Sequence, residues 1–121
     1  HTLIPAFALG DGRPAFVFGS EGGHGQAQTQ LQILVRMVVD GDDPQAALDA
    51  PRWCVDPQSG AVTVEDRVGA DWVESLRARG HATTAVPSYG HGMGYAHVIE
   101  PGPGGYRCAS DPRAEGAAGG I

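Results

Sequence analysis

The sequence predicts an α+β fold of layered, antiparallel pairs, and three observations carry that expectation. Two apolar runs near the N-terminus are joined by an Asp-Gly turn. One strongly apolar segment repeats with the period of a helix. Near the C-terminus, two β-rich segments flank a Pro-Gly-Pro-Gly-Gly turn. A chain of 121 residues makes at most one domain.

The elements follow in order. Residues 3–9 (LIPAFAL) and 15–18 (AFVF) read as a hairpin closed by Asp11-Gly12, because Asp-Gly tolerates the positive φ angles of a tight turn. Both runs are apolar on both faces, which suits strands held between layers. Leu31, Leu34, Val35 and Val38 then recur at helical spacing, widened by Ile33, Met37 and Val39. Gln30, Gln32, Arg36 and Asp40 form a thin polar face, so this helix is expected to be largely buried. Gly41 is its stop. Asp43-Pro44 reads as an N-cap followed by Pro at the first helical position, with Pro51 ending the short helix near Ala50. Residues 61–65 alternate as a strand. Residues 70–79 form an amphipathic helix with Trp72, Val73 and Leu76 inward and Gly80 closing it. Residues 81–86 make a short strand, and 95–100 pairs with 106–109. The expected order is ββ-loop-αα-β-α-β-ββ, with a small, Gly-rich tail from Glu115.

Composition excludes several function classes. The net charge is −6, so nothing neutralises phosphates, and neither a nucleic acid nor a membrane surface is an expected partner. All eight basic residues are Arg, which removes lysine as a nucleophile or phosphate anchor. Cys54 and Cys108 are too few for a disulfide framework and are expected as free thiols. No run approaches the ~20 apolar residues of a membrane span. The chain opens at His1-Thr2-Leu3 without Met and reads as a piece of something longer. Its compartment, periplasmic or secreted versus cytoplasmic, stays open.

The segment GSEGGHGQAQTQLQ, residues 19–32, concentrates Gly19, Gly22, Gly23 and Gly25 between a strand and a helix. It lacks the Lys of a phosphate loop and the spacing of a dinucleotide fingerprint. Paired glycines at a helix entrance can present backbone N–H groups to an oxyanion; a tight turn required by packing is the other reading. His91 and His97 have no carboxylate or cysteine at ligand spacing, so no metal or other cofactor is expected. A histidine beside a substrate, or a hydrogen-bonded one, fits them better. Thr2 and Ser20 are candidate nucleophiles without a nucleophile elbow, and Thr2 has no free α-amine. Asp49 ahead of Arg52, and Asp111 ahead of Arg113, read as salt-bridged turn anchors.

In order along the chain, HTLIPAFAL, DGRP, FGSEGG, QTQLQ, DPQAALDAPRW and ASDPR resemble the C-terminal part of the small subunit of the gamma-glutamyltranspeptidase family, near its glutathione-hydrolase-like, acylase-like and oxamate-amidohydrolase-like members. The resemblance covers essentially the whole chain. It implies part of an αββα N-terminal-nucleophile hydrolase sandwich, with residues 1–121 an incomplete domain lacking the nucleophile segment. In that family a proenzyme cuts itself to expose a Thr, whose hydroxyl attacks an amide while its own α-amine acts as base. The acyl-enzyme is then released to water or an amine. The paired glycines match Gly22 and Gly23, which the resemblance makes the oxyanion donors. His1 and Thr2 stand where glutathione-cleaving members carry a Ser-Ser pair that holds the glutamyl carboxylate. His24 follows the glycines where relatives carry a small polar or acidic residue. These three are the expected substrate-binding positions. The partners implied are the upstream segment or large subunit and a small amide or gamma-glutamyl substrate. The chain alone is expected to be inactive, and a non-catalytic binding or structural relative is the alternative.

Overall fold

The computed structural model describes residues 3–119; His1 and Thr2, two of the expected substrate-binding positions, lie outside them. Strand β1 (Ile4–Gly10) turns back into β2 (Arg13–Glu21) through Asp11 and Gly12, at φ 50° and 75°. Both central residues thus take the left-handed conformation of a twist-matched hairpin turn. A 3₁₀ turn (Gly23–Gly25) feeds helix α1 (Gln26–Val35), which runs on as a π-helical turn over Arg36–Asp40. Gly41, at φ 79°, caps it in the left-handed region, as the sequence suggested. Helix α2 (Pro44–Asp49) starts at Asp43, whose Oδ1 accepts from the N–H groups of Gln45 and Ala46.

Strands β3 (Trp53–Val55) and β4 (Val62–Glu65), helix α3 (Ala70–Ala78) and strand β5 (Thr83–Val86) follow. Strands β6 (Tyr95–Gly102) and β7 (Gly105–Ser110) close the chain. They form two sheets. An antiparallel four-stranded sheet has the order β1-β2-β6-β7, and a smaller one has the order β3-β4-β5 with β4 and β5 parallel. The core lies between the large sheet and helices α1 and α2, where Phe18, Ile33, Leu48, Val98 and Ala109 meet.

Three expectations need correction. Strand β3 was not foreseen. It is only 3 residues long, too short for alternation to register. Only part of the Leu31/Leu34/Val35/Val38 stripe is buried: Leu31, Val35 and Val38 are 56%, 40% and 62% exposed, while Leu34 packs against the core and Ile33, from the widened stripe, is 1% exposed. The inward face instead runs through Gln26, Thr29, Ile33 and Met37. Polar residues turn inward because their amides and hydroxyls have partners there. Finally, Gln30 and Gln32 of the thin polar face are engaged with neighbouring strands rather than simply polar. Gln32 exchanges both amide hydrogen bonds with the backbone of Trp53 (2.9 and 3.1 Å), and Gln28 does the same with Val55 (2.9 and 2.8 Å). One turn apart on α1, the two side chains pair with the outer edge of β3 as a neighbouring strand would. Gln45 treats Ser110 at the end of β7 likewise, at 3.1 and 3.3 Å.

The other face of the large sheet carries Leu3, Phe7, Leu9, Ile99 and Tyr106 exposed, consistent with strands shaped to lie between layers.

Candidate active site

Strand β2 ends at Glu21, opposite Tyr95, the first residue of β6. Gly22 (φ 142°) and Gly23 (φ 56°) then turn the chain into α1. The two glycines serve different needs. A β-carbon on Gly22 would lie 2.9 Å from Gly94 Cα, and one on Gly94 would lie 2.5 Å from the Glu21 carbonyl oxygen. Backbone therefore rests on backbone, and only glycine fits. A β-carbon on Gly23 would meet nothing within 4 Å; there the positive φ, beside open space, is what favours glycine. The packing reading thus accounts for Gly22 and leaves Gly23 facing room.

Gly25 N–H closes the turn on the Gly22 carbonyl at 3.1 Å, and the buried Gln26 side chain donates to Gly23 O at 3.2 Å. Among the described residues, the N–H groups of Gly22 and Gly23 donate none of the turn, loop or cap hydrogen bonds. They stand at the N-terminal end of α1, where the helix dipole favours negative charge.

A cavity of about 440 Å³ reaches Glu21, the residue before this turn. Leu3, Ile4 and Pro5, their β2 neighbours Gly19, Ser20 and Glu21, Tyr95 and His97 of β6, and Ala114 line it. His91 hydrogen-bonds the Tyr95 phenol through Nδ1, their rings meeting edge to face at 5.6 Å. His24 is exposed on the 3₁₀ turn. Ser20 is no free nucleophile: it is 3% exposed, its Oγ donates to Gln26 O at 3.4 Å and accepts from Gln30 Nε2 at 3.1 Å.

Behind the turn lies a buried cluster of Arg52, Glu65, Asp111 and Arg113, each no more than 2% exposed. One of the two expected anchors forms as read, and the other takes a different partner. Arg113 does pair with the nearby Asp111, at 3.1 Å, whereas Arg52 also takes Asp111, at 2.6 Å, rather than Asp49. Glu65 completes the charge balance, and the alternating AVTVE pattern held no hint of it. Burial alone would raise its pKa. Hydrogen bonds from Arg113 and from the N–H groups of Arg52 and Tyr89 outweigh that and hold it below the usual carboxylate range. Arg52 is lowered from the ordinary arginine value by burial, with Asp111 opposing. Cys54 and Cys108 are both free, and burial together with Asp56 pushes the Cys54 thiol up. Gly94, Glu65 and the strand-clamping role of Gln28 escaped the sequence; the density of glycine in GHGMG was the one visible signal for the first.

A four-stranded antiparallel sheet with helices packed on one face leaves its other face uncovered, as half of a layered sandwich would. The gamma-glutamyltranspeptidase family profile matches residues 1–121, and the chain belongs to that family. It is 37% identical over its whole length to the glutathione hydrolase-like YwrD proenzyme of Bacillus subtilis, and spans 24% of that protein. It is 37% identical to the oxamate amidohydrolase proenzyme of Klebsiella pneumoniae, again spanning 24% of it. The structure resembles cephalosporin acylase from Bacillus halodurans, with TM-score 0.85 and 32% identity over 93% of this chain and 21% of that one. The fold is α+β, part of an αββα N-terminal-nucleophile hydrolase sandwich, and the chain spans about a quarter of the curated relatives it matches.

Proposed function

We propose that this chain is the oxyanion-binding part of a Thr-dependent amide hydrolase or acyltransferase, competent together with the upstream segment that its proenzyme relatives contain. The observation that supports the reading is the pair of backbone N–H groups at Gly22 and Gly23 ahead of α1, which among the described residues donate none of the turn, loop or cap hydrogen bonds, with a cavity that reaches the preceding residue, Glu21. In the reaction, the hydroxyl oxygen of the upstream Thr attacks the amide carbonyl as its proton passes to the Thr α-amine. The carbonyl oxygen becomes anionic and receives the two N–H groups. Collapse of the tetrahedral adduct breaks the C–N bond, and the amine leaves with the proton. Water or a second amine then takes the acyl group from the Thr oxygen by the same steps in reverse order. His1, Thr2 and His24 are the proposed substrate contacts.

The test is turnover of a gamma-glutamyl anilide and of simple amides by the intact, processed protein and by its Gly23→Val variant. A β-branched residue at φ 56° displaces the donor, and kcat falls by about a hundredfold or more. Unchanged turnover refutes the role. Absence of turnover in the intact protein favours a non-catalytic relative.

A further inference from the structure

We propose that Arg52 is a positioning residue for the Gly22–Gly23 turn and acts through the carbonyl of Gly94; this rests on the oxyanion reading above. Arg52 NH1 donates to Gly94 O at 2.9 Å and reaches Met93 O at 3.5 Å, while NH2 lies 2.6 Å from Asp111 Oδ2. The same Asp111 oxygen accepts from Ala96 N–H at 2.9 Å, so one carboxylate ties the guanidinium to the start of β6. From the opposite side, Thr29 of α1 donates its hydroxyl to Met93 O at 3.4 Å. Gly94 is thereby held in place, and Gly22 rests on it with no side chain between to yield. A shift of Gly94 is transmitted directly to the turn. Oxyanion stabilisation depends steeply on donor placement, and a displacement of about 1 Å costs about a hundredfold.

The cluster supplies its own control. Arg113 is buried as deeply as Arg52, at 2% exposure. Its donors go to Leu48 O, Ala50 O, Glu65 and Asp111, and not to residues 93 or 94. Lysine at either place keeps the charge but lacks the planar fork that spans two acceptors. The experiment compares Arg52→Lys with Arg113→Lys in the intact, processed protein, measuring kcat and KM on a gamma-glutamyl anilide together with thermal unfolding. In Arg52→Lys, kcat falls by about ten- to a hundredfold while KM stays within about twofold, because the contact acts on the transition state. Arg113→Lys loses comparable thermal stability and keeps kcat within about threefold. Equal kcat losses in the two variants, or a loss confined to KM, overturn the proposal.

Should Arg52→Lys not fold, Gly94→Ala carries the same test. It presses a methyl group on the Glu21 carbonyl without touching any charge, and wild-type kcat in that variant also overturns the proposal. If Gly23→Val abolishes turnover while Arg52→Lys leaves kcat intact, positioning fails and the oxyanion reading stands. Unchanged turnover in Gly23→Val removes the oxyanion reading itself.

Discussion

Arg113 grips both carboxylate oxygens of Glu65, Nε to Oε1 and NH2 to Oε2, each at 2.7 Å. The pair is bidentate and buried, and it joins the end of β4 to the segment after β7, with the partly exposed Arg67 also reaching Glu65 Oε2 at 3.0 Å. Charges this deep are tolerated only when paired and hydrogen-bonded. The cluster meets that condition with Asp111, Arg52, the Leu48 and Ala50 carbonyls and the Tyr89 N–H.

Glu65→Gln removes the charge that Arg113 and Arg52 face and leaves excess positive charge in the interior. The expected loss is about 3–5 kcal/mol of stability, read from urea unfolding of the intact protein. A loss near zero would mean that solvent reaches the cluster.

The same carboxylate gives the stability a pH dependence of definite sign. Its folded-state pKa lies below the ordinary value of 4.5. The contribution is therefore complete above about pH 4.5 and disappears as pH falls through the lower folded value. The urea midpoint of the wild type should drop steeply on acidification below pH 4.5, and Glu65→Gln should flatten that drop.

The two glycines of the turn should respond differently to alanine. At Gly23 only the left-handed backbone opposes a side chain, at about 1–2 kcal/mol. At Gly22 the backbone angle and the contact with Gly94 Cα add, and the loss should reach about 3 kcal/mol or more. Denaturant midpoints of Gly22→Ala and Gly23→Ala make the comparison; equal values would contradict the close backbone approach.

Gln32→Ala should release the N–H and carbonyl of Trp53 from their side-chain partner. Hydrogen exchange at the Trp53 amide should accelerate, with a stability loss of about 1–3 kcal/mol. Gln28→Ala should do the same at Val55, while amides in β6 keep their protection. Uniform acceleration across both sheets would argue against a local edge clamp.

Local chemistry alone determined much of this chain. The Asp11-Gly12 hairpin, the Asp43-Pro44 helix start, the Gly41 stop and the pairing of β6 with β7 all follow from φ preferences and short-range hydrogen bonding, which neighbours in sequence settle between themselves. The glycine turn at the head of α1 was legible for the same reason, and family membership was legible in the ordered motifs. Which face of α1 turns inward was not. Its apolar residues follow the helical period, but the inward face runs through Gln26, Thr29, Ile33 and Met37, because the polar side chains find partners such as the Met93 carbonyl, which lies far away along the chain. Likewise, an Asp and an Arg three residues apart suggest a local pair, yet Arg52 and Asp49 part because a buried guanidinium takes the carboxylate that also satisfies a strand N–H. Only tertiary packing brought Gly94 against Gly22. Backbone contact of that kind needs the absence of two side chains from distant segments, and each segment by itself shows nothing more than a glycine.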